Sequence, residues 1–206
     1  MQTRKEELWN AISHGVGVIL GAIGLFILLF HDQEKTPYST FSIIVYSISV
    51  IVLYSASTIY HAASNVRWKI IFRKIDHISI FFLIAGTYTP VALIMLESGS
   101  GWTIFITVWC IAFIGAILKI FFTGKYEKLS LALYLFMGWL IVFDIQNLME
   151  AASLSGLLLI ALGGAFYTVG IVFYAIQRIP YNHVIWHFFV LGGSISHYFF
   201  ILNDVI

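Results

Sequence analysis

The sequence predicts an all-α integral membrane protein, a bundle of seven transmembrane helices, and three observations predict it. Of 206 residues, 60% are hydrophobic and only 10% are charged, whereas a soluble domain carries about 25% charged residues. The charged groups cluster, leaving long uncharged stretches between them. Each stretch runs to about twenty residues, the length a helix needs to cross a bilayer. A soluble core has no use for seven such segments. The net charge of +1 argues against a nucleic-acid partner. The expected partners are membrane lipids, and the expected location is the cell membrane, as a multi-pass protein.

The spans fall at 11–30, 41–60, 75–96, 102–122, 129–148, 154–176 and 183–202, after a short tail, 1–10. The first is long and two more follow closely, so it is expected to stay in place as the insertion signal and not to be cleaved. The second closes on Ser57-Thr58-Ile59-Tyr60-His61. The third opens with Asp76-His77 and carries Pro90, which should kink or break it near its outer end. The fourth holds Cys110, the single cysteine. No disulfide framework is available, and a buried structural thiol is expected. The fifth carries Asp144, Gln146 and Asn147; the sixth is uninterrupted. The seventh opens with His183-Val184-Ile185-Trp186-His187 and later holds His197. Connections are short, without repeats or low-complexity tracts, so residues 1–206 read as one membrane domain.

Orientation follows from the basic residues. Arg4 and Lys5 lie in the tail, Arg67, Lys69, Arg73 and Lys74 around the second connection, Lys119, Lys125 and Lys128 around the fourth, and Arg178 in the sixth. With seven spans all ten share one side, and only Lys35 lies on the other. The amino terminus is therefore expected in the cytoplasm and the carboxyl terminus outside.

Ionisable residues inside spans are costly and point to function. The predicted topology brings His61, Asp76, His183 and His187 to a similar depth near the cytoplasmic face, and the basic residues that set the topology did not include them. His183 and His187 are spaced i, i+4, which projects both imidazoles from one helix face. Ser57 stands in the same relation to His61, one turn deeper. Three neutral imidazoles plus a water would make an open tetrahedral zinc site of the catalytic type, with a nearby carboxylate to take the water's proton. Asp76 is the one carboxylate expected at that depth within a span. Against this, interfacial histidines often only bond backbone or headgroups, and a buried Asp beside a His can be a structural pair. The His-Glu-x-x-His helix of soluble metalloproteases is absent.

At these residues the sequence resembles the hemolysin III family, within the progestin and adipoQ receptor group that includes the adiponectin receptors. The resemblance covers nearly the whole chain. It is carried by Asn10-Ala11-Ile12-Ser13-His14-Gly15, Ser57-x-x-x-His61, Asp76-His77, Ala85-Gly86-Thr87-Tyr88-Thr89-Pro90 and His183-x-x-x-His187. It implies a seven-helix fold with a zinc ion near the cytoplasmic side. His61, His183 and His187 match the ligands, Asp76 the carboxylate that holds and deprotonates the water, and Ser57 the serine beside the site. Similarity of these motifs to alkaline ceramidases implies a lipid amidase with a ceramide-like substrate. Hormone recognition, which in the animal receptors goes with a long amino-terminal domain, is not carried over.

His14 is expected near the ligands or the headgroups without ligating. His77 points about 100° around the helix from Asp76 and reads as structural. His197 lies ten residues beyond His187, about 15 Å along a helix, too far for the same ion. It is a candidate partner for Asp144, unless Asp144, Gln146 and Asn147 form a polar cluster between helices. Two other functions stay open at this point: a non-catalytic sensor or regulator of lipid homeostasis with structural zinc, and a haemolysin-type permeabilising protein. No span carries the continuous polar stripe of an aqueous channel.

Overall fold

The structure, a computed structural model, describes residues 2–206. Among the described residues it is entirely helical, and seven helical runs are long and apolar enough to cross a membrane. All seven anticipated spans are present. Their ends and continuity differ from the expectation in ways that shape the site.

The first helix, α1 (Arg4–His31), begins inside the stretch anticipated as a tail. Thr3 and Glu6 explain this. The Thr3 hydroxyl accepts from the Glu6 N–H at 3.2 Å, and the Glu6 carboxylate accepts from the Thr3 N–H at 2.6 Å. This reciprocal cap satisfies donors that would otherwise be orphaned at the helix start. The second helix, α2 (Ser39–Ala62), matches its predicted span closely. The third, α3 (Val66–Pro90), also starts early, because the Asn65 side chain accepts from the N–H groups of Arg67 and Trp68. Residues expected in a connection, Lys69 and Arg73 among them, thus sit on a helix.

Pro90 ends the α-helical ladder as anticipated, and the chain continues as a π-helical turn, Val91–Met95. After α4 (Gly101–Phe122) comes the larger departure. The fifth span is not one helix but α5 (Glu127–Gly138), a 3₁₀ turn (Leu140–Asp144) and α6 (Ile145–Ala151). The phenol of Tyr88 sits at the break: it donates to the Gly138 carbonyl at 3.0 Å and accepts from the Ile141 N–H at 3.0 Å. An inserted side chain of this kind is a recognised cause of a helix break. The chain ends with α7 (Leu154–Ala175) and α8 (Asn182–Phe200), the latter running into a second π-helical turn, Ile201–Val205.

Neighbours in sequence pack against one another from α1 to α4, α7 packs on α8, and α8 returns to α1. The ring closes more loosely where α5 meets α3 and α7. Tyr54 of α2 donates to the Ser194 hydroxyl of α8 at 2.8 Å, and Tyr167 of α7 lies at the same distance from it, joining three helices inside the core. The outer surface is apolar, with Phe26, Phe30, Phe121, Phe143 and Leu154 among its most exposed side chains. A surface of that kind suits lipid. Cys110 corrects an expectation: it is exposed. It shares the outward stripe of α4 with Ile106, Phe113, Ile114 and Ile117, at the helical spacing of a lipid-facing edge.

Candidate metal centre

One end of the bundle carries the early turns of α1, α3, α5 and α8 and the last turn of α2. His61 comes from that last turn, and His183 and His187 come from the first turns of α8. One nitrogen from each of the three rings lies within 4.8 Å of the others, close enough for one metal ion to reach all three. Ring centroids are separated by 5.1 Å for His61–His183, 4.9 Å for His61–His187 and 4.7 Å for His183–His187. Nδ1 of His61 is 2.7 Å from the Glu7 carboxylate, while its Nε2 is buried and has no hydrogen-bond partner. A buried unpartnered imidazole nitrogen facing two other imidazoles fits a metal ion, because such a group is otherwise expensive to leave unsatisfied.

A cavity of about 120 Å³ opens beside the histidines. Asp76 and Ser57 line it together with His14, His183 and His187. Both are buried, and the Ser57 hydroxyl lies beside the Asp76 carboxylate. The cavity continues along α3, α5 and α7 to an adjoining one of about 350 Å³, with Thr87, Tyr88, Gly138, Trp139, Gly164 and His197 walling both. Beyond the histidine end the lining is mostly apolar.

His14 stacks flat on His187, with centroids 3.6 Å apart and planes 9° from parallel. His77 faces the Glu127 carboxylate at 3.6 Å, in a network that also holds Lys119 at 2.8 Å. The pairing of His197 with Asp144 is not formed. His197 packs on Tyr167 and against Gly163, where a Cβ would lie only 2.2 Å from the ring. Asp144 is instead taken by the Ser100 hydroxyl and by the Asn147 amide at 2.7 Å. Gln146 is exposed and outside that cluster.

The model of the haemolysin-III related family matches residues 2–198. This chain belongs to that family. It is 42% identical to Hemolysin-3 of Bacillus cereus, covering 98% of this chain and 93% of the relative. It is 41% identical to a Hemolysin-3 homolog of Bacillus subtilis (strain 168), covering 98% and 95%. Monocyte to macrophage differentiation factor of Homo sapiens is 28% identical, covering 94% and 82%.

For this haemolysin-III related chain, sequence reasoning missed Glu7, Lys69 and Glu127 as neighbours of the site. Glu7 bridges His61 and the Lys69 ammonium, the latter at 2.9 Å. Lys69 was counted only among the basic residues around a connection, and Glu7 and Glu127 fall in stretches taken as the tail and the fourth connection. The Thr3-x-x-Glu6 cap was the signal that could have placed Glu7 on a helix. Lys119, counted among the basic residues near a connection, is buried against Glu127.

Proposed function

We propose that this protein is a zinc-dependent hydrolase of membrane lipid amides, with a ceramide-like substrate and the basic end of the bundle facing the cytoplasm. The observation that carries the reading is the meeting of three imidazoles, one with a buried unpartnered nitrogen, at the end of an apolar cavity within the membrane-spanning region. His61, His183 and His187 would hold the ion. Zinc, when bound, supplies Lewis acidity that polarises a carbonyl and makes water a stronger nucleophile near neutral pH.

The protein's own groups do the rest. Asp76 lines the cavity and takes the proton of the attacking water, then returns it to the departing amine as the carbonyl–nitrogen bond breaks. Ser57, buried beside Asp76, donates to that carboxylate or to the substrate's carbonyl oxygen. The apolar run between α3, α5 and α7 takes a hydrocarbon tail, leaving the amide at the histidine end.

His14 supports an open position over a closed four-histidine staple. A ring stacked parallel on His187 keeps its lone pair in a plane offset from that of His187, which does not suit a shared ion. A permeabilising function finds no support in a cavity whose lining turns apolar away from the histidines.

The test is metal content by mass spectrometry on detergent-purified protein, beside the double variant His183→Ala/His187→Ala. About one zinc per chain, lost in the variant, is the expected result. Purified native protein without zinc would sink the metal mechanism.

A further inference from the structure

Two of the three candidate ligands are held from behind by the same helix. Glu7, Asn10 and Ser13 are spaced i, i+3, i+6 and share one face of α1. The Glu7 carboxylate meets Nδ1 of His61 at 2.7 Å. The Asn10 carbonyl and the Ser13 hydroxyl each lie 3.3 Å from Nδ1 of His187. Ser13 donates its own proton to the Asn10 carbonyl at 3.0 Å, so its oxygen faces the ring as an acceptor. A carboxylate and a carbonyl can only accept, so both histidines carry their proton on Nδ1. Nε2 is then the free lone pair on each ring. Glu7 is itself fixed, since its second oxygen meets Lys69, whose ammonium also bonds the carbonyls of Tyr60 and Ala63 at the end of α2.

We propose that the first turns of α1 are the positioning element of the metal centre, with Glu7 orienting His61 and the Asn10–Ser13 turn orienting His187 so that both present Nε2 to the ion. This rests on the metal reading above. It also gives the Asn10-to-Gly15 motif a task, since nothing in that motif ligates. A partner that locks ring orientation and tautomer behind a ligand stiffens the site before the ion arrives, and loss of such a partner typically weakens metal binding about 10–100-fold.

The experiment compares wild type, Glu7→Gln and Glu7→Leu as detergent-purified full chains. Zinc affinity is read by chelator competition, the ligand field by the visible spectrum of the cobalt(II)-loaded protein, and the fold by the thermal midpoint of metal-stripped protein. Glu7→Leu should bind zinc about 10–100-fold more weakly with a shifted cobalt spectrum. Glu7→Gln should fall between, because its amide oxygen still accepts from Nδ1. The stripped midpoints should stay together. A Glu7→Leu variant that binds zinc like wild type overturns the proposal, as does an affinity loss that only tracks a falling stripped midpoint. Wild type with no zinc affinity overturns the metal reading and this proposal together; intact wild-type affinity confines the failure to Glu7.

Discussion

Asp76 is the one buried carboxylate among the described residues, and it faces the cavity that the three histidines also border. Replacing it separates binding from turnover. Asp76→Ala should retain zinc, since no ligand is removed, while ceramide hydrolysis falls by about 10²–10⁴-fold, the usual range for loss of a general acid–base group. Unchanged turnover would remove Asp76 from that role; lost zinc would make it part of the ligand set. Asp76, His61, His183 and His187 could be picked out of the sequence because an ionisable group within an apolar run has few reasons to be there. Glu7 escaped the same logic. It follows Arg4, Lys5 and Glu6 within the stretch 1–10 taken as a tail, and only the fold turns it inward to His61.

At the scale of elements, spans proved legible and their breaks did not. Apolar length alone marks a helix that must cross a bilayer, because lipid offers no partner for an unpaired backbone group. Pro90 announces its own break, having no N–H to donate. The break after Gly138 depends on Tyr88, fifty residues away along the chain, and no local pattern carries that information. Tyr88→Phe tests this directly. It strips the partner from the Gly138 carbonyl and the Ile141 N–H, which should destabilise the protein by about 1–3 kcal/mol. The measurement is the thermal midpoint in detergent, with metal content as a check that the distant histidine end is intact. No change in midpoint would mean that the 3₁₀ turn holds without the phenol.

For the whole molecule, the uneven distribution of Lys and Arg sets a testable orientation. In a Cys110→Ser background, Ser64→Cys lies on the basic end, between α2 and α3, and Ser98→Cys on the opposite end, between α3 and α4. A membrane-impermeant maleimide should label Ser98→Cys in intact cells and Ser64→Cys only after permeabilisation. The reverse pattern would turn the protein over and move the histidines to the outer face. The gathering of the site was legible only at this scale, since the four crossings between the end of α2 and the start of α8 are what return the chain to the same face. The closure of the ring by α8 against α1 also bears on how the protein is made. Ser13 and the His187 it contacts are 174 residues apart, so nearly all of the chain must leave the ribosome before these groups can meet. Closing a longer loop costs more chain entropy, though the cost grows only slowly with length. A nascent protein short of its last helix has a lone His61 and nothing to complete the cluster. The histidine cluster therefore records that synthesis and insertion have run as far as α8, and a chain cut off before α8 is one in which it cannot form.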